Sequence, residues 1–187
     1  MKTMAHSIGV MELSSIAAGY QTEDAMLKAA DITILVARTI CSGKFLIIAS
    51  GSVSAVNASL EAGEMVAGSY LIEKLTIANV EQQLFAAIAG TVTVSDVSFR
   101  ALGIVETFAA TPIIEAADAA AKAADVTLLR VHVSMAIGGK GYFLVTGDVA
   151  AVEAAVDAAC SAIELSGMLV NRVVIPAATK ELMQELL

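Results

Sequence analysis

The sequence predicts an α+β protein in which one β-α-β-β-α-β sandwich is built twice in tandem. The first observation is an internal repeat. Ile8-Gly9-Val10-Met11-Glu12 returns as Leu102-Gly103-Ile104-Val105-Glu106, and Asp24-Ala25-Met26-Leu27-Lys28-Ala29-Ala30-Asp31 returns as Asp118-Ala119-Ala120-Ala121-Lys122-Ala123-Ala124-Asp125. Both pairs lie 94 positions apart, and 10 of 35 positions from Ser7 to Cys41 are identical at that offset. The second observation is the spacing. Gly51-Ser52-Val53 matches Gly147-Asp148-Val149 at an offset of 96, and Leu71-Ile72 matches Leu169-Val170 at 98. A period this long suits a small domain and exceeds any solenoid repeat. The third observation is the alternation of β-branched apolar runs with alanine-rich helical stretches inside each copy.

The elements follow in order. Ser7–Leu13 is a short apolar strand, and Glu23–Ala30 lies in a helix ending before Asp31. Ile32-Thr33-Ile34-Leu35-Val36 is β-branched and reads as a buried strand. Cys41-Ser42-Gly43 is a turn, with Lys44–Ala49 as the return strand of a hairpin. Ser52 caps a helix to about Ala67 with Val53, Val56 and Leu60 on one face. Tyr70–Ile77 is a fourth strand and Glu81–Ile88 a short closing helix. The second copy gives strands at Ala101–Thr107, Val126–Met135, Tyr142–Thr146 and Leu169–Ile175, and helices near Ile113–Ala124, Val149–Ile163 and Thr179–Leu187. Two extra residues fall in its hairpin turn, Ala136-Ile137-Gly138-Gly139-Lys140-Gly141. The expected domains are residues 7–90 and 101–187, joined by a linker over 91–100.

Composition narrows the functional classes. Hydrophobic residues make up 57% and charged residues 16% of 187 positions. The longest stretch free of Asp, Glu, Lys and Arg is Phe45–Leu60, 16 residues, too short and too rich in Ser and Gly to span a membrane. Much of the apolar excess is alanine, 36 residues, which permits close packing. So little charge predicts a chain that buries much of its surface in an assembly. A net charge of −8 with no basic cluster argues against nucleic-acid binding. His6 and Glu12 interrupt the N-terminal apolar residues, so no signal peptide is expected. Cys41 and Cys160 occupy non-equivalent places in the two copies, which gives no disulfide framework and makes a reducing cytosol the default.

Enzyme motifs are missing from the sequence. His6 and His132 are scattered, and no Ser/His/Asp set, carboxylate pair or CxxC is visible. Gly138-Gly139-Lys140-Gly141 lacks the Walker spacing and a following Ser or Thr. Cys160, among alanines and serines, reads as a core thiol. Cys41, beside a glycine at a hairpin tip, is either exposed chemistry or a small buried hydrophobe. Glu12 and Glu106 end the first strands, where a hydrogen-bonding structural role is expected. Lys28 and Lys122 take matching helix positions.

These residues resemble the bacterial microcompartment shell domain: Gly-x-x-Glu on the first strand, Asp-Ala-x-x-Lys-Ala-Ala on the first helix, a Gly-Lys hairpin, Gly-Asp-Val-x-Ala-Val opening the second helix, and a Val-Ile-Pro end. The resemblance covers residues 7–187 twice over. It implies a ferredoxin-like sandwich, a homotrimer forming a pseudohexamer, and a tile packing edge to edge with other shell proteins inside the bacterial cytoplasm. Arg38-Thr39-Ile40-Cys41-Ser42-Gly43-Lys44-Phe45-Leu46 is similar to the iron–sulfur shell protein of propanediol-utilisation compartments. That likeness implies one [4Fe–4S] cluster per trimer on three Cys41 thiolates. Its implied roles are electron transfer or cluster delivery across the shell, with luminal redox enzymes as partners. It also implies a pore lined by Cys41, Ser42, Gly43, Lys44, Ala136, Ile137, Gly138 and Gly139, and a tile edge carrying Lys28 and Lys122. Two departures stand out. Ile175-Pro176-Ala177-Ala178 lacks the family's edge-docking arginine, and Ser42 replaces a proline after the cysteine. The alternatives are a metal-free tile with a plain metabolite pore, and a trimeric small-molecule-binding regulator.

Overall fold

A computed structural model describes residues 7–93 and 101–186. Residues 94–100 of the expected linker, His6 and Leu187 lie outside this range. In the first copy Ser7–Leu13 forms β1, Ile16–Ala29 α1, Thr33–Ile40 β2, Lys44–Gly51 β3, Val53–Ala67 α2 and Leu71–Ala78 β4. A short helix α3, Gln83–Ala89, follows. The second copy gives β5 (Ala101–Thr107), α4 (Ala110–Ala123), β6 (Val126–Val133), β7 (Gly141–Gly147), α5 (Val149–Ala162), β8 (Leu169–Ile175) and α6 (Lys180–Glu185). The two copies thus share one element order, β-α-β-β-α-β and a closing helix.

Two compact units result. Of the described residues, one comprises 7–80 with 135–139, the other 81–93 and 101–134 with 140–186. Helix α3 therefore counts with the second unit, and the tip of the β6–β7 turn with the first.

Each unit holds one four-stranded antiparallel sheet, ordered β2-β3-β1-β4 in the first and β6-β7-β5-β8 in the second. The registers agree: Leu13 faces Phe45 where Thr107 faces Gly141, and a bulge at Leu35 is matched by one at Leu129. In the first unit both long helices pack on one sheet face. Gly9 of β1 lets α2 approach so closely that an added Cβ would lie 2.8 Å from Val56. Serine caps start both helices, with Ser15 Oγ accepting from the Ala18 amide and Ser52 Oγ from Ala55. Met11, Leu13, Met26, Phe45, Ile47, Val56 and Leu60 form the core beneath. Each such side chain contributes about 1.5–3 kcal/mol on burial.

The copies solve one packing problem in opposite ways. In the first, Phe45 on β3 lies against Gly19 on α1. In the second, the matching strand position is Gly141 and the matching helix position Ile113. A large residue on the strand faces a small one on the helix, and then the reverse. Total volume is conserved, as a close-packed core requires. This contact also anchors the strand that leaves the Cys41 turn.

Candidate functional site

The β2–β3 turn is Cys41–Gly43. Ser42 and Gly43 both take left-handed backbone, at φ 64° and 70°. Proline, fixed near −65°, cannot take the Ser42 conformation, so this turn excludes the proline that Ser42 replaces. Gly43 has nothing within 4 Å of where its Cβ would stand, so glycine is required there by φ alone. Ser42 and Gly43 are exposed and Cys41 is partly exposed, with a free thiol.

The second loop at this site comes from the other copy's hairpin. Met135–Gly139 belongs to the same unit as Cys41. Ala136, Gly138 and Gly139 are left-handed, at φ 63°, 69° and 90°. Amides of this loop reach the Cys41 sulfur. Hydrogen bonding from the Gly139 amide, with smaller contributions from Ile137, Gly138 and Ala136, holds the thiol below its ordinary pKa against a lesser opposing effect of burial. The thiolate is the form that ligates metals and attacks electrophiles. All of Cys41, Ser42, Gly43, Ala136, Ile137, Gly138 and Gly139 are thus gathered at one place.

Lys44 adjoins the turn but points its ammonium elsewhere. Its Nζ donates to Glu12 Oε1 at 2.7 Å, and the Glu12 side chain is only 1% exposed. The second copy repeats the pair, Lys140 to Glu106 at 2.8 Å. The Gly-x-x-Glu and Gly-Lys signatures are therefore two halves of one ion pair that ties the hairpin to the first strand, as the structural reading of the glutamates anticipated. The pairing was visible in the repeat, since both members recur, but they lie 32 and 34 positions apart.

Lys28 and Lys122 sit on α1 and α4. Each pairs with the aspartate one turn earlier, Asp24 and Asp118, at 2.5 Å. Lys28 is widely exposed. Cys160 differs from the core thiol expected of it. It is partly exposed, beside Arg172 of β8, which also pairs with Asp157. Burial raises its thiol above the ordinary value, with the Arg172 hydrogen bond opposing. The small residues around it in sequence hid the fact that this face of α5 looks along β8.

Among the described residues, no group of three or more His, Cys, Asp or Glu gathers in one chain as a metal site. No helix among them is long and apolar enough to cross a membrane.

Two copies of one sandwich, each with the same ion-paired hairpin, match a known domain. The BMC domain model covers residues 7–80 and 101–178. The chain belongs to the BMC domain family. It is 44% identical to the microcompartment shell protein PduT of Citrobacter freundii, over 92% of this chain and 93% of that protein. It is 47% identical over 77 residues to the shell protein EutM of Salmonella typhimurium, covering 41% of this chain and 78% of that one. A crystal structure of a microcompartment protein from Desulfitobacterium hafniense superposes with a TM-score of 0.90 at 40% identity, covering 96% of this chain and 98% of that one. A fused, permuted hexameric shell protein of the RMM microcompartment shares the fold, with a TM-score of 0.64 at 21% identity over 84% and 81% of the two chains.

Proposed function

We infer that this BMC-domain chain is a structural tile of a bacterial microcompartment shell within the cytoplasm, not an enzyme. In this reading three copies close a pseudohexagonal ring, and their three Cys41 turns meet at its centre around one [4Fe–4S] cluster. The PduT likeness across nearly the whole chain supports the shell role. So do the large apolar side chains that a single chain leaves exposed, among them Met65, Tyr70, Phe108 and Leu165. Exposed apolar surface of this kind marks assembly contacts.

The observation that carries the cluster reading is the Cys41 sulfur under a loop of amides. The donor chemistry fits: one free, partly exposed thiol whose charged form is favoured. One chain supplies a single thiolate there, so a cluster needs the same residue from other chains. Amide hydrogen bonds to ligand sulfurs are among the factors that set cluster potentials. When bound, the cluster supplies one-electron transfer. The chain's own part is to present Cys41 as thiolate and hold the turn open with Ser42 and Gly43. The loop 136–139 directs amides at the sulfur. Lys28 and Lys122 are assigned to the tile edge, where Ala177 and Ala178 offer no arginine to a neighbouring ring.

The test is anaerobic purification followed by iron and sulfide analysis beside Cys41→Ser. About four irons and four sulfides per trimer, lost in the variant, are expected. Iron absent from both proteins after reconstitution would leave a tile with a plain pore.

A further inference from the structure

The two copies part at their hairpin turns. The last matched strand pairs are Thr39 opposite Phe45 in one copy and Val133 opposite Gly141 in the other. Inside them the first copy places Cys41–Gly43 between Ile40 and Lys44, while the second places five residues, 135–139, between Ser134 and Lys140. The Ser134 amide donates to the Lys140 carbonyl at 3.0 Å and closes the base of the longer turn.

The two added residues carry the second turn across to the first. Residues 135–139 group with the first unit, although β6 and β7 on either side belong to the second. The side chains of this turn, Met135, Ala136 and Ile137 with two glycines, hold no N–H or O–H donor. What it offers a neighbour is main-chain N–H. The Cys41 sulfur accepts these groups, from Gly139 foremost. Nothing lies within 4 Å of a Cβ added at Gly138 or Gly139, so these glycines serve the backbone and not the packing. The two lysines that adjoin the turns are engaged elsewhere, Lys44 with Glu12 at 2.7 Å and Lys140 with Glu106 at 2.8 Å. The chain itself carries −8. Three thiolates brought together in such an assembly need neutral dipoles to answer their charge.

We propose that the cysteine-free turn of the second copy sets the reduction potential of the cluster site: amides of residues 136–139 answer the negative charge on the Cys41 sulfur and favour the reduced form over the oxidised one. An added electron puts more negative charge on the ligand sulfurs, hydrogen bonds to them strengthen, and the midpoint potential rises. One electron from an external donor, dithionite in the assay, effects the reduction, and no bond to Cys41 forms or breaks. The second copy thus keeps a part in the site although it has lost the cysteine. The inference rests on the cluster reading above and assigns the residues that tune it.

The test is a redox titration followed by electron paramagnetic resonance on the full-length protein purified without oxygen. Gly139→Ala enters open space but opposes φ 90°, so it displaces the amide without a clash. Deleting Ile137 and Gly138 returns the turn to the first copy's length and withdraws it from the sulfur. Both lower the midpoint. The deletion changes the ratio of reduced to oxidised protein at fixed potential by about tenfold or more, which is about 59 mV for one electron. Gly139→Ala, the milder change, carries the comparison if the deletion disturbs assembly. Ile137→Ala keeps every amide and leaves the midpoint unchanged. Loaded variants whose midpoints equal that of the wild type overturn this inference and leave the cluster reading standing. A midpoint that moves as far in Ile137→Ala as in the deletion assigns the effect to a side chain and also overturns it. A wild-type protein that takes up no iron overturns both readings.

Discussion

Gly19→Ala sets two effects against each other, and the structure decides the sign. Alanine in a helix interior is favoured over glycine by about 0.8–1.0 kcal/mol. The new Cβ, however, would lie 2.3, 2.4 and 2.6 Å from Cγ, Cδ1 and Cβ of Phe45. Contacts below 3 Å must be relieved by movement, and the fully buried Phe45 has little freedom to move. Overpacking of this kind costs about 1–3 kcal/mol, and three contacts on a rigid ring belong at the upper end. The expected net loss is about 2 kcal/mol, or about 4–8 °C in Tm for a chain of this size. Phe45→Gly installs the second copy's strand residue and removes all three contacts. In that background Gly19→Ala becomes stabilising by about 1 kcal/mol. Urea denaturation with unchanged m-values reads both sides of the cycle. A wild-type background in which Gly19→Ala raises stability would refute the reasoning, because helix propensity alone would then be in control.

Two further outcomes follow from the site. Lys44→Met strands the Glu12 carboxylate, whose Oε2 already has no hydrogen-bond partner among the described residues, and is expected to cost about 2–3 kcal/mol. Lys140→Met, facing the more exposed Glu106, costs under about 1 kcal/mol; equal losses by chemical denaturation would contradict this account of the pair. Amide donors favour the Cys41 thiolate, so its alkylation rate in the metal-free protein rises with pH to a midpoint below that of an ordinary thiol. The midpoint for Cys160 lies above it, since burial favours its neutral form. Peptide-resolved iodoacetamide labelling across pH checks the order, and a lower midpoint at Cys160 would count against the amide cradle.

Much of the fold was legible because the chain states it twice. The strands Ser7–Leu13, Ala101–Thr107 and Leu169–Ile175 fall where they were expected, and Ser52 caps α2 as expected. The helix expected to hold Glu23–Ala30 is α1, which begins at Ile16 and lays Gly19 and Tyr20 against Phe45. Strand β2 runs on to Ile40 past Arg38 and Thr39, since an edge strand tolerates polar residues that would end a buried one. At the site, the sequence marked Cys41 and its glycine turn. It did not reveal the amides above the sulfur, because they come from a loop 95 or more positions away whose side chains carry no signal. It is the backbone of Ala136–Gly139 that supplies those hydrogen bonds.

The most direct test of the account is native mass spectrometry of the protein purified without oxygen. The account predicts one species of three chains carrying a single [4Fe–4S] mass, and in Cys41→Ser a three-chain species without it. A cluster bound to single chains, or three-chain rings that hold no iron even after reconstitution, would contradict it.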